Sequence, residues 1–140
     1  PSAVVDVRDP EHPDGKVLLL FNKCEQGERV TAAGKAVRRV CVIESADGGE
    51  SWINERDITT EVHRPWNPTY DVVYADAVAR YANTDDWRAQ FPPVGHAIQL
   101  ERGLQPGRLV FASYTTIGPV SIFEGQSYLI WSDDHGKSWS

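Results

Sequence analysis

Short runs of apolar and alternating residues form two similar series, one near each end of the chain. The runs of the first series are 3–7, 15–21 and 39–44, and those of the second are 97–101, 107–112 and 127–131. Runs of this length, rich in branched apolar residues and separated by glycine-containing turns, predict β-strands. Two repeats of strand, turn, strand, loop and strand predict an all-β fold of repeated antiparallel meanders.

Each series ends in the same eight-residue pattern, S-x-D-x-G-x-S-W. Its fixed positions are Ser45, Asp47, Gly49 and Trp52 in the first copy, and Ser132, Asp134, Gly136 and Trp139 in the second. The glycine favours the positive φ that a tight reversal needs. The aspartate accepts hydrogen bonds from backbone amides inside the turn. The tryptophan ring can pack against the hairpin or against the next repeat.

The pattern therefore predicts a structural turn between the third and fourth strands of each meander. The functional alternative is a calcium loop, because calcium also binds carboxylate-rich D-x-G turns. Calcium takes six or more oxygen ligands, and neither copy of the pattern supplies that number. The structural interpretation is favoured, and we predict no metal and no cofactor.

The repeats divide the chain into three segments. Residues 1–56 form one propeller blade that ends in the first copy of the pattern, and residues 95–140 form a second, truncated blade that ends in the second copy. Residues 57–94 connect them, with irregular backbone predicted at Pro65 and Pro68 and a short helix at 71–81. The predicted fold is about two blades of a β-propeller made of four-stranded antiparallel sheets.

Composition and charge exclude some classes of function. The chain is 41% hydrophobic and 24% charged, which is typical of a globular protein. A net charge of −6 argues against a nucleic-acid surface, which needs a basic stripe. No stretch reaches the roughly 18 apolar residues of a membrane span. The chain begins at Pro1 and contains no methionine, so we expect it to be part of a longer protein, and its localisation is not predicted.

The two cysteines, Cys24 and Cys41, lie on neighbouring predicted strands. They would face each other across a hairpin if the register allowed it, but two separate thiols with Cys41 buried is the favoured interpretation. Neither cysteine has a Cys or His neighbour at zinc spacing, so a zinc site is not indicated.

These residues resemble one known family. The S-x-D-x-G-x-[ST]-W pattern is the Asp box of the sialidase (neuraminidase) superfamily, although Asp boxes also occur in other propellers. The segment 91–100, FPPVGHAIQL, followed by Gly107-Arg108-Leu109, resembles the family's F-P-x-x-G-x-G-I-Q-L and G-R-L stretch. The opening segments 2–6 and 15–21 are similar to the start of the family's second blade. The chain departs from the family at Ala97, where glycine is usual and where alanine disfavours positive φ.

The resemblance implies a bacterial-type exo-α-sialidase with a six-bladed propeller and a sialylated glycan as substrate. In this family a tyrosine paired with a glutamate is the nucleophile, an aspartate is the acid/base, and three arginines hold the sugar carboxylate. The first arginine and the aspartate are expected before Pro1, and the other catalytic groups after Ser140. We therefore predict no catalytic residue within the chain. The alternatives are a non-catalytic Asp-box propeller that binds glycans or proteins, and a different propeller glycosidase.

Four residues are candidates for the wall of the substrate pocket. Phe91 matches a pocket aromatic of the family, with a core phenylalanine as the alternative. His96 and Gln99 flank the start of the same strand and face either the channel or a hydrogen-bonded rim. Phe123 lies near a second aromatic position of the family.

Overall fold

The computed structural model describes residues 1–24, 26–27, 30–31, 38–62, 87–91, 95–117 and 125–140. Residues 30–31 are helical, and the other elements within these ranges are strands and one short helix. They are β1 (Ser2–Asp6), β2 (Lys16–Cys24), β3 (Arg38–Ser45), β4 (Ile53–Asp57), α1 (Thr59–Val62), β5 (Trp87–Phe91), β6 (Gly95–His96), β7 (Ile98–Gln99), β8 (Leu109–Ile117) and β9 (Gly125–Ser132).

The first sheet contains the predicted four-stranded meander. Its strand order is β4-β3-β2-β1-β6, and β1 to β4 pair antiparallel with their neighbours in sequence. Side chains alternate between the two faces of a strand, and on β2 this alternation buries Lys16, Leu18 and Leu20. One face of the blade therefore packs against the core.

The second sheet is centred on β8. Strand β9 pairs with β8 along its length, from Leu109↔Ser132 to Thr116↔Gly125. The other edge of β8 is shared by β7 at its start and β5 at its end. After the turn that follows β9, the backbones of Trp131 and Ser140 exchange two hydrogen bonds of 2.9 and 3.0 Å, so antiparallel pairing continues beyond the turn.

Residues 95–99 join the two sheets. Strand β6 pairs in parallel with β1, with Ser2 opposite Gly95 and Ala3 opposite His96. The Ala97 amide then donates to the Ala3 carbonyl at 2.8 Å, after which β7 pairs with β8. The departure at Ala97 causes no left-handed backbone, since Asn54 and His135 are the described non-glycine residues with positive φ.

One apolar core spans both sheets. Its buried members are Val4, Leu18, Leu20, Val40, Val42, Ile58, Val62, Leu109, Phe111, Ile130 and Trp139. The rings of Phe111 and Trp139 meet edge to face with centroids 5.5 Å apart, a favourable aromatic geometry. The all-β, propeller-type fold predicted from the sequence is confirmed.

The cysteines are separate thiols, as predicted. Strands β2 and β3 pair in a register that sets Cys24 opposite Arg38 and Cys41 opposite Phe21. Cys24 is exposed and Cys41 is buried, and burial raises the pKa of the Cys41 thiol. The helix predicted at 71–81 lies outside the described residues.

Candidate functional site

The two ends of the sheets carry different sets of candidate residues. The inner strands β1 and β6 are parallel, so Ser2 and Gly95 mark one end of the unit. Asp6, which pairs with Lys16, marks the other end. Both Asp-box turns follow strand ends on the Asp6 side, because Ser45 pairs with Val17 and Ser132 with Leu109. We call these the Gly95 end and the turn end.

Two of the predicted pocket residues lie towards the Gly95 end. The backbone of Phe91 pairs with Tyr114, in the half of β8 that is farther from the turn end. His96 is exposed on β6, directly after Gly95, whose φ of 126° is accessible mainly to glycine. The predicted Phe123 lies outside the described residues.

Gln99 points its side-chain amide into a network at the turn end. Its Nε2 donates to Asp6 Oδ1 at 2.5 Å and to the Gly107 carbonyl at 3.1 Å, and its Oε1 accepts from the Val7 amide at 3.0 Å. The donors and acceptor of the amide are thus used in holding β7 beside the end of β1. The structure does not bring Gln99 to the same end as His96.

The first Asp box forms a closed turn of side-chain hydrogen bonds. Ser45 Oγ donates to Asp47 Oδ1 at 2.7 Å and accepts from the Gly49 amide at 2.8 Å. Asp47 also accepts from the Ser51 amide at 2.9 Å and from the Ser51 hydroxyl at 2.5 Å. These bonds, those from Ser51 foremost, hold the pKa of Asp47 well below its ordinary value.

The second Asp box repeats this arrangement. Ser132 Oγ donates to Asp134 Oδ1 at 2.8 Å and accepts from the Gly136 amide at 2.8 Å. Asp134 accepts from the Ser138 amide at 2.8 Å and from the Ser138 hydroxyl at 2.5 Å. Burial alone would raise the pKa of Asp134, but the bonds from Ser138 lower it below its ordinary value. The predicted Asx-type turn is present in both copies.

The second turn is docked on the first blade. Arg56 Nη2 donates to the carbonyls of Gly136 and Lys137 at 2.6 and 2.7 Å. Glu61 Oε2 accepts from the Trp139 amide at 2.8 Å. Arg56 and Glu61 are themselves paired at 2.9 Å, so one ion pair from β4 and α1 binds three backbone groups of the turn.

A buried polar cluster lies beneath this contact. The Asp6 side chain is fully buried and lies 2.7 Å from His135 Nδ1. Asp6, Asp9 and His135 place one ligand atom each within 4.8 Å of one another, which is close enough to hold a cation. The Lys16 ammonium already lies 2.6 Å from Asp9 Oδ2 and 3.5 Å from Glu44 Oε2, and it offsets part of this negative charge.

The pKa shifts agree with an ion-pair network. Burial acts to raise the pKa of Asp9, but the hydrogen bond from the Lys16 ammonium outweighs it, and the pKa of Asp9 is lowered. Burial acts to lower the pKa of Lys16, whereas Asp9 and Glu44 raise it, and the net pKa of Lys16 is raised. Sequence reasoning missed this cluster, although a charged residue at an inward position of the run AVVDV was its signal.

A polar cleft of about 320 Å³ separates the first blade from the second turn. Its cationic side chains are engaged: Lys16 pairs with Asp9, Arg56 with Glu61 and Lys137 with Glu11. The cleft therefore offers an interface between blades and no uncompensated charge for a ligand.

The fold and the turns together define a class of protein. The described strands form antiparallel propeller sheets, and each sheet ends in an Asp-box turn at the same end of the unit. The chain is thus part of an Asp-box β-propeller.

Comparisons with known proteins narrow this class. The chain is similar to sialidase-3 of Bos taurus, with 30% identity over 141 residues that cover 92% of this chain and 28% of that protein. It is also similar to the sialidase of Micromonospora viridifaciens, with 33% identity over 100 residues, which is 70% of this chain and 12% of that protein. Among solved structures, Hadza microbial sialidase Hz136 shares the fold, with a TM-score of 0.55 and 20% identity, over 89% of this chain and 20% of that one.

The chain is related to the sialidase superfamily, and it spans about a quarter or less of the length of these curated relatives. No protein-family model matches it. In the part of the chain that the structure describes, no helix is long and apolar enough to cross a membrane.

Proposed function

We propose that this chain is a scaffold portion of an exo-α-sialidase, which hydrolyses terminal sialic acids of glycoconjugates. The observation that carries the proposal is the ordered likeness to sialidases over 92% of the chain. It is supported by two Asp-box turns with matching hydrogen bonds at the same end of adjacent sheets.

The proposed chemistry is retaining hydrolysis with a tyrosine nucleophile. A neutral tyrosine activated by a glutamate avoids the repulsion that a carboxylate nucleophile would meet from an anionic sugar. Three arginines match the sugar carboxylate with charge-assisted hydrogen bonds. We place these groups, with the acid/base aspartate, in the longer protein outside this chain, and we propose that the chain alone is inactive.

The contribution we propose for this chain is one wall of the substrate pocket. Phe91 and His96 lie towards the Gly95 end, and His96 is exposed there. An aromatic ring and an imidazole suit a pocket that binds a sugar ring and its polar substituents. For Phe123 the same role rests on its position in the sequence. For Gln99 we propose a rim role, since its amide is held by Asp6, Val7 and Gly107.

The test uses a fluorogenic sialoside with the longer protein and with the 140-residue chain. We expect turnover by the longer protein and none by the chain alone. His96→Ala in the longer protein should lower kcat/KM without changing Tm, because His96 is exposed and packs against little. Leu104→Ala is the matched control, since Leu104 is fully exposed at the turn end and should change neither quantity.

Two outcomes would contradict the proposal. Turnover by the chain alone, blocked by a sialic-acid transition-state analogue, would show that catalytic groups lie inside it. A longer protein that binds sialylated glycans without hydrolysing them would instead establish the alternative, a glycan-binding Asp-box propeller.

A further inference from the structure

The second Asp-box turn shows which of its backbone groups an adjacent blade recognises. They are the carbonyls of Gly136 and Lys137, bound by the Arg56 guanidinium, and the amide of Trp139, bound by the Glu61 carboxylate. With these contacts made, Trp139 is 4% exposed. A guanidinium matches two carbonyls with charge-assisted bonds, and the carboxylate satisfies an amide that the turn itself leaves unpaired.

The first turn presents the same groups without a partner in the described part of the chain. Gly49, Glu50 and Trp52 occupy the positions of Gly136, Lys137 and Trp139 in a turn with the same internal hydrogen bonds. No described side chain outside this turn binds the two carbonyls or the Trp52 amide, and Trp52 is 39% exposed. In the second turn the corresponding ring and backbone groups are covered by the adjacent blade, so the exposed first turn presents the same set of groups for the same kind of contact.

Charge indicates which element covers it. Each turn carries two carboxylates, Asp47 and Glu50 in the first and Asp133 and Asp134 in the second. The second turn also has Lys137, where the first has Glu50, and its Asp133 is paired with Arg108 at 2.7 Å. The first turn therefore attracts a cation more strongly than the second turn, which already receives one from Arg56.

We propose that the first Asp-box turn is a docking surface for another propeller blade, which presents an arginine paired with a carboxylate as Arg56 and Glu61 are paired. The guanidinium binds the carbonyls of Gly49 and Glu50, and the carboxylate accepts from the Trp52 amide. This inference rests on the proposed function in one respect, namely that the chain belongs to a longer propeller.

The first experiment tests whether Arg56 and Glu61 protect the second turn as these contacts imply. It measures hydrogen exchange of single amides in the 140-residue chain. The Trp139 amide should exchange slowly and the Trp52 amide quickly. Arg56→Met and Glu61→Gln should each speed exchange at Trp139 by roughly tenfold or more, the scale of a hydrogen bond to a charged group. Exchange at Trp52 should not change. If the Trp139 amide exchanges as fast as the Trp52 amide before any substitution, the contacts of Arg56 and Glu61 do not protect the turn and the proposal is wrong.

Lys23→Met provides the matched control for these variants. It removes the exposed ion pair between Lys23 and Glu55 on β2 and β4, which makes no contact with the second turn. Exchange at Trp139 should be the same as in the unaltered chain. An acceleration as large as that of Arg56→Met would assign the effect to general destabilisation and contradict the specific contact.

The docking surface is then tested in the longer protein. The Trp52 amide should exchange roughly tenfold more slowly there than in the 140-residue chain, and replacing the facing carboxylate with glutamine should restore fast exchange. Equal exchange in both proteins overturns the proposal. Protection that no carboxylate substitution removes overturns the stated chemistry. Sialoside turnover is measured separately, so an inactive protein with a protected Trp52 amide contradicts the sialidase assignment alone.

Discussion

The two Asp-box turns have the same internal hydrogen bonds but different surroundings. The bonds from each serine and aspartate agree within 0.1 Å between the copies, as in the Gly49 and Gly136 amides, both 2.8 Å from the serine hydroxyl. Trp139 is buried against Phe111, whereas Trp52 is 39% exposed. The local sequence therefore determines the shape of the turn, and the neighbouring blade determines what the turn contributes to stability.

The residue before the conserved glycine differs between the copies, and only the second copy uses it for a contact outside the turn. Gly48 and His135 both have positive φ, 76° and 62° respectively. Glycine adopts this conformation at little cost, whereas histidine pays of order 1 kcal/mol. The contact of His135 with the buried Asp6 carboxylate, at 2.7 Å, offsets that cost, and the first turn has no such contact to make.

The largest expected difference between the turns lies in their tryptophans. Trp139→Ala should lower the free energy of unfolding by about 3–5 kcal/mol, because it empties a buried site beside Phe111. Trp52→Ala should cost less than about 1 kcal/mol in the same chain, because its ring is partly solvated. Urea denaturation of both variants measures the two changes in the free energy of unfolding. Equal changes would contradict the inference that only the second turn is buried against a neighbouring blade.

The aspartates should differ less. Asp134→Ala should lower the free energy of unfolding by about 1–2 kcal/mol, the scale of lost turn and cap bonds, because the docked turn carries Arg56 and Glu61 with it. Asp47→Ala should lower the free energy of unfolding, measured by urea denaturation as for Asp134→Ala, by a smaller amount, since its turn supports no contact with a second blade among the described residues. A greater loss of unfolding free energy for Asp47→Ala would show that the first turn contributes more to stability than the second.

Exchanging Gly48 and His135, the residues with positive φ at the same position of the two turns, tests whether the histidine is stabilised by its contact with Asp6. His135→Gly relieves backbone strain and removes the Asp6 contact, so its net effect should stay within about 1 kcal/mol. Gly48→His adds strain without a partner and should destabilise by about 1 kcal/mol. A double-mutant cycle with Asp6→Asn isolates the His135 contact; a coupling energy of zero would mean that His135 stabilises nothing through Asp6.

The smallest expected effect is the loss of stability at low pH. Asp9, Asp47 and Asp134 have pKa values lowered from 3.8 in the folded chain. Their stabilisation is therefore complete above about pH 3.8 and is lost as the pH falls through the folded values. Thermal melts between pH 2 and pH 7 should show Tm falling at the acid end. Asp47→Asn and Asp134→Asn should each reduce this fall, and Asp47→Asn should reduce it more, because burial opposes the lowering of the pKa more strongly at Asp134.

That the Gly95 end binds substrate stays a prediction of the sequence. Phe91 and His96 were found by their place in the segment FPPVGHAIQL, and the structure adds that His96 is exposed and that both belong to one end of the sheets. Gln99, from the same segment, lies in the network at the opposite end, because the segment runs parallel to β1 towards Asp6. The direction in which a strand runs is set by its pairing partner, so the sequence alone could not assign these residues to one end.

Strand β5 (Trp87–Phe91) lies within residues 57–94, which the sequence predicts as a connection. The sequence by itself determined most of the other strands, the two turns and their hydrogen bonds, and the relation to sialidases. These features depend on local alternation and on residues a few positions apart, as in Ser45 and Gly49, so they can be recognised in a single segment. Tertiary structure alone decided that Arg56 and Glu61 bind the second turn and that Asp6 meets His135, 129 residues away. Contacts of this kind depend on how two sheets pack, and a charged residue on a strand has the same local pattern whether it faces solvent or another blade.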